Sequence, residues 1–152
     1  MATSVREQIL AAFASTVGTA LPIAIPGTGV ERNRSRPVPK TSNAFVILYD
    51  GPQFIVSDET CSTRYTLDVE AEGYAKASTD ALLGPAINNL YGELVKAALA
   101  DHTLGGLSVD VRESNLQDVY IDDEAQKPSG AFALTFNITY STAGGDPFTL
   151  GV

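Results

Sequence analysis

The run Ser62–Glu72, STRYTLDVEAE, decides the fold class. Thr63, Tyr65, Leu67, Val69 and Ala71 share one parity, and Arg64, Thr66, Asp68, Glu70 and Glu72 share the other. Successive side chains of a strand point to opposite faces, so this run reads as a half-buried strand with acids at 68, 70 and 72 on its outer face. A strand with one apolar face needs a second layer to cover it.

Working outward, the last strong run is AFALTFNITY, residues 131–140, with Phe132, Leu134, Phe136, Ile138 and Tyr140 on one face. Its other face, Ala131, Ala133, Thr135, Asn137 and Thr139, is small or polar. Residues 107–112, LSVDVR, alternate again, and Val119–Ile121 is expected to pair after a break at Glu113–Gln117. The acidic turn IDDEAQKPSG, with Asp122, Asp123 and Glu124, follows. Residues 44–50, AFVILYD, are apolar on both faces: Phe45, Ile47 and Tyr49 on one, Val46 and Leu48 on the other. A sheet with helices behind it leaves one face wet. Two greasy faces predict that another element, or a neighbouring subunit, covers the second one. Gly51-Pro52 then predicts a turn.

Two amphipathic helices supply the second layer. In residues 4–17, Val5, Ile9, Phe13 and Val17 recur at spacing four, beside Ala12. Thr3 or Ser4 is placed to cap the helix, Gly18 to end it and Pro22 to stop it. In residues 79–100 the stripe is Leu83, Ile87, Leu90, Tyr91, Leu94, Ala98 and Leu99, with Pro85 marking either the start or a kink. The order helix, strand, strand, helix, strand, strand predicts one α+β domain over residues 1–152: a mainly antiparallel four-stranded sheet with both helices on one face. The stretch 19–43 is predicted to be a long loop, and 141–152, STAGGDPFTLGV, an extended or mobile tail.

Charge is unevenly placed. The chain of 152 residues has a formal net charge of -8, yet Arg32, Arg34, Arg36 and Lys40, four of its ten basic residues, sit in one short Pro-flanked segment. An acidic body repels phosphate backbones, which argues against nucleic acid as a partner for the whole surface. In an extended conformation the three arginines share a face, which predicts a projecting basic segment that touches another protein surface. Its natural mate is an acidic face such as Asp68 and Glu70 on a neighbouring copy. The apolar runs are too short to span a bilayer, and the N-terminus has no signal-peptide core.

The residues offer little for catalysis. Cys61 is the single cysteine and His102 the single histidine, so no disulfide framework exists. A Cys61–His102 nucleophilic pair, or a metal site built from them and distant carboxylates, has no local motif behind it. Asp68 and Glu70 lie about 7 Å apart along a strand, a spacing that a carboxylate-dependent hydrolase could use, though a solvated face, or the mate of a basic segment on a neighbouring subunit, explains them better. The glycines at 27, 29, 105 and 144 lack the lysine and hydroxyl of a phosphate loop. No catalytic, cofactor-binding or metal-ligating residue is expected. A doubly apolar strand, a basic segment and an acidic face suit self-association.

The layout resembles the tail terminator (tail completion) proteins of long-tailed bacteriophages and prophages. The resemblance runs through VREQILAAF, the basic RNRSRPVP before AFVILYDG, RYTLDVEAEGYA, LVKAALADHTLGGL and FALTFNITYSTAGGDPFT with its late Asp-Pro. It implies a virion protein without cofactor that forms a hexameric ring on the head-proximal end of the tail tube. Such a ring stops tube growth, docks the head–tail connector and passes DNA only as cargo through its lumen. It is assembled in the host cytoplasm and needs no membrane. The resemblance further implies that Arg32, Arg34 and Arg36 face a neighbour, the tube or the lumen, and that Phe45, Ile47 and Tyr49 lie near subunit contacts. Head–tail joining (neck) proteins are a second class of similar size that also forms rings.

Overall fold

The computed structural model describes residues 1–122 and 126–151. The chain runs α1 (Val5–Ala24), β1 (Gly29–Arg32), β2 (Ala44–Glu59), β3 (Ser62–Lys76), α2 (Asp80–Ala98), β4 (Asp110–Asp122), β5 (Ser129–Ala143) and β6 (Asp146–Leu150). The α+β class is as the alternation predicts. The sheet, however, has six strands rather than four, in the order β1-β2-β3-β5-β4 with β6 also on β5. It is mixed, because β1 pairs with β2 in parallel while the remaining pairs are antiparallel.

Helix α1 begins where its cap chemistry places it, with the Ser4 hydroxyl accepting from the Glu7 amide at 3.2 Å. It does not end at Gly18. The spacing-four stripe continues through Leu21, which is fully buried, and Pro22 sits in the last turn. A proline ring in a helix crowds the carbonyl four residues back, and here that residue is Gly18, whose backbone has latitude to yield. Helix α2 likewise starts at Asp80 and runs through Pro85, burying Leu83, Ile87, Leu90 and Leu94. Pro85 neither starts nor ends it.

Both helices cover one face of the sheet. Their stripes meet Val46 and Leu48 of β2, Leu67, Val69 and Ala71 of β3, Val111 of β4 and the even-numbered apolar residues 132–140 of β5 in a single core. Phe13 and Phe136 meet across the layers with ring centroids 5.5 Å apart. Gly73 makes room for the Phe132 ring lying on it, a cross-strand pairing set by the register Gly73↔Phe132.

Length is the mismatch that shapes the molecule. A strand of 16 residues spans about 53 Å, whereas a helix of 20 residues spans about 30 Å. The helices therefore cannot cover the whole sheet, and the β2–β3 hairpin extends past them as an arm.

Gly51-Pro52 is where that arm begins, and it is a bulge, not a turn. Asp50 pairs with Val69 and Gln53 with Leu67, so one extra residue is inserted on β2. Pro52 has no ladder hydrogen bond to lose there, since β1 ends opposite Leu48. Gly51 is required by contact: a Cβ at this position would overlap the Asp68 carbonyl oxygen. The bulge is clamped from α1, with Arg6 donating to the Gly51 carbonyl at 2.7 Å and to Gln53 at 3.2 Å. It also turns Gln53 toward the buried Tyr140 hydroxyl, which donates to Gln53 Oε1 at 2.6 Å. A buried hydroxyl without that acceptor would cost about 1–3 kcal/mol.

Three further expectations change. The predicted break at Glu113–Gln117 is an irregularity between Glu113 and Leu116, with a second between Gln117 and Tyr120, inside a continuous β4 that starts at Asp110 rather than Leu107. The segment after Tyr140 completes β5 and returns as β6 through a turn with Gly145 at φ 74, so the expected loose tail has a place in the sheet. The predicted loop 19–43 splits into two shorter ones, 25–28 and 33–43, because α1 takes in 19–24 and β1 takes in 29–32. In the acidic turn, Asp123 and Glu124 lie outside the described residues, as does Val152 of the tail.

Candidate assembly surfaces

The basic segment does not project as a row of three arginines. Arg32 closes β1 on the helix side, and its guanidinium bridges both oxygens of Asp50 and both of Glu7, all at 2.7–2.8 Å. The next residue, Asn33, has φ 51, which breaks the alternation and sends Arg34 to the opposite face. There Arg34 pairs with Glu31 and lies over the Phe45 ring, 5.2 Å from its centroid. Arg36 is the most open of the three, its side chain 75% exposed and its guanidinium 4.0 Å from Glu31 Oε1. The arginines thus stabilise this chain's own fold first, and the shared-face expectation fails at Asn33.

That same fold-back answers why Ala44–Asp50 is apolar on both sides. Phe45 and Ile47 are buried on the face away from the helices. Phe45 leans over Gly29 of β1, at a position where a Cβ would collide with its ring, and Arg34 covers it from outside. The cover comes from another element of the chain, the first of the two alternatives. The covering is incomplete: a hollow of about 200 Å³ remains between Val38, Pro39, Phe45, Tyr74, Tyr120 and Ala131.

The acids of β3 stand beside this aromatic end. Cross-strand register sets Tyr49 against Glu70, Ile47 against Glu72, and Glu70 against Thr135. Asp68, Glu70 and Tyr49 border a shallow hollow with Asp50 and Thr135. Burial, then the Glu72 and Glu70 charges, raise the Tyr49 hydroxyl above its ordinary pKa. Burial and a 2.7 Å bond to Glu72 do the same to Tyr74. Both phenols are therefore donors, not bases, at neutral pH. Among the described residues no three His, Cys, Asp or Glu are grouped so as to hold a metal ion.

Cys61 and His102, weighed in the sequence as a pair without a supporting motif, are not brought together. Cys61 lies exposed at the tip of the β2–β3 arm. His102 Nδ1 instead meets Asp110 Oδ1 and the Val111 carbonyl, each at 3.1 Å. No nucleophile–base pair results.

What the sequence reading missed is the arm and the far edge. Phe54, Ile55 and Val56 of β2 are each more than half exposed, as are Val119, Tyr120 and Ile121 of β4, with Leu116 close behind at 42%. From Gly51 to Glu59 the outer edge of β2 has no strand beside it among the described residues, since β1 reaches only Leu48. The outer edge of β4 is likewise unpaired among the described residues. Long unpaired edges carrying large apolar side chains are templates for further strand pairing. The signal was available in FIV, residues 54–56, once Gly51-Pro52 is read as a bulge.

The Arg32 cluster yields a test of its own. Hydrogen bonds from Arg32 chiefly hold the Glu7 and Asp50 carboxyls below their ordinary values of 4.5 and 3.8. Depressed folded-state values mean that this stabilisation is present above those ordinary values and fades as pH falls through the lower ones. Arg32→Met should cost on the order of 1 kcal/mol at pH 7, mostly through Asp50, because Glu7 is half exposed. Urea unfolding should show the gap from the unsubstituted protein narrowing at pH 3. An equal gap at both pH values would show that the cluster does not act as an ion pair.

No helix among the described residues is long and apolar enough to cross a membrane. No protein-family model matches the chain, and no curated protein matches it. Among solved structures, one chain is 17% identical with a TM-score of 0.49, the match covering 86% of this chain and 93% of that one. Another, from the virion of a native gene transfer agent (GTA) particle, is 19% identical with a TM-score of 0.32, the match covering 90% of each chain.

Proposed function

We propose that this chain is a structural virion subunit that closes into a hexameric ring on the head-proximal end of a phage tail tube. The ring ends tube growth and offers a docking surface to the head connector, while DNA passes through its lumen as cargo. The observation that carries the reading is the pair of unpaired sheet edges, one bearing Phe54, Ile55 and Val56 and the other Leu116, Val119, Tyr120 and Ile121. A ring subunit needs two surfaces that complement each other on successive copies, and a sheet with two open apolar ends supplies them. The whole-chain resemblance to tail terminators supplies the biological setting. In this reading the protein acts by shape. Arg36, the most open of the three arginines, is left for contact with the tube or a neighbour. Asp68 and Glu70 keep one sheet face negative, which suits a lumen that must not hold DNA. Phe45, Ile47 and Tyr49 shape that face from within the subunit.

Native mass spectrometry over a concentration series, with negative-stain imaging, tests the ring. Six-fold rings, or six-fold assembly triggered by added tube ends, are the expected result. A subunit that stays monomeric even with tube ends present overturns the reading.

A further inference from the structure

We infer that successive copies join by sheet extension, the free edge of the β2 arm in one copy lying antiparallel along the outer edge of β4 in the next. This rests on the ring reading above and names the contact that builds it.

Strand direction comes first. The steps β2–β3, β3–β5 and β5–β4 are all antiparallel, so β2 and β4 run in opposite senses at the two sides of one sheet. A second copy placed in the same orientation therefore meets β4 with β2 in the antiparallel sense, the more stable pairing. The same edge contact repeated round a ring leaves neither edge open.

Side chains then select a register. With Leu116 opposite Ile55, both stand on the helix side of the sheet, because Leu116 is level with Leu134 and Ile55 with Tyr65. Three rungs further on, Arg112 falls opposite Glu59, both on the other side, since Arg112 is level with Asn137 and Glu59 with Ser62. Each strand carries one extra residue within that span, between Glu113 and Leu116 on β4 and between Ile55 and Ser57 on β2, so the irregularities coincide. The Arg112 side chain is 80% exposed and reaches Asp110 on its own strand, leaving donors for an acid across the joint. One like-charge rung results, Glu113 opposite Asp58. Each of those carboxylates already accepts from a hydroxyl, Glu113 from Tyr91 and Asp58 from Thr63.

Self-pairing of the arm about a two-fold axis fits less well: residues 51–59 carry Asp58 and Glu59 but no basic residue, so it offers these acids no partner such as Arg112. The favoured register also staggers the copies. Leu116 is level with Leu48 of its own β2, through Leu134 and Ala71, yet meets Ile55 of the neighbour. Strands so offset tilt against the ring axis, as closed sheets require.

Cross-linking tests the contact. In a Cys61→Ser background, Ile55→Cys and Leu116→Cys are made separately and oxidised alone and mixed. The expected result is a disulfide-linked dimer in the mixture and none in either variant alone, with the double variant giving a ladder up to the size of the ring. Self-linking of the Ile55→Cys variant alone overturns the assignment in favour of a two-fold contact. Rings without a mixed dimer overturn the edge pairing and leave the ring standing. Absence of both rings and cross-links under conditions with tube ends present overturns the two together.

Discussion

Phe136→Ala lowers the free energy of unfolding by about 3–5 kcal/mol, the usual cost of truncating a buried aromatic ring. The side chain is fully buried at the centre of β5. It meets Phe13 of α1 on one side and is level with Val69 and Glu113 on its neighbouring strands. The cavity therefore opens where α1 and the sheet meet, and a rigid strand held on both edges cannot collapse into it. A domain of this size has a total stability of roughly 5–15 kcal/mol, so the loss is a large share of the whole. Urea unfolding should show a lower midpoint with an unchanged slope. Thr135→Ala, one residue away on the opposite face, should change stability by less than about 0.5–1 kcal/mol. Equal effects at the two positions would mean that the helices do not pack on the even-numbered face.

That face was readable because strand alternation has a fixed period of two. Nothing in Ser62–Glu72 or Ala131–Tyr140 competes with it, and the structure keeps every parity those runs imply. The failures share a cause in local chemistry that overrides the pattern. Gly51-Pro52 has the composition of a turn, but β3 beside it supplies a ladder that carries the strand past as a bulge. Asn33 takes a left-handed conformation and separates arginines that parity would unite. Strands β1 and β6, of 4 and 5 residues, are too short to show a period, and they exist because a long neighbour offers them an edge. Gly18 and Pro22 hid residues 18–24 of α1, about two turns, although Leu21 continues the buried stripe. At the candidate surfaces, Phe45 and Ile47 were legible as a second apolar face, since six consecutive residues, Ala44–Tyr49, left no polar side. What covered them depended on Arg34 folding back, a tertiary event with no local signature. The arm was missed for the same reason as the bulge: exposed apolar residues look like core until the lengths of helix and strand are compared.

The second large effect falls on assembly and leaves the subunit folded. Replacing Phe54, Ile55 and Val56 together by Lys, Thr and Lys should abolish the ring and yield a monomer with unchanged circular dichroism. All three side chains are more than half exposed in the single subunit, so their burial contributes little to its stability. The ladder to β3 survives, because Phe54 and Ile55 keep Thr66 and Tyr65 opposite them, and Thr suits a strand. Lysine on an edge strand is a recognised block to further pairing, since a second strand would have to desolvate its charge. Central apolar anchors of an interface contribute about 2 kcal/mol or more each. Two such losses weaken the contact by about 4 kcal/mol, close to a thousandfold in dissociation constant. Sedimentation at micromolar concentration should then find only the subunit mass, with the thermal midpoint within a few degrees of the unsubstituted protein. Replacing Arg36 by Ser provides the opposing control, because an assembly held by the basic segment would fall apart there and survive the arm variant. A ring that withstands loss of all three arm residues moves the subunit contact away from the sheet edges.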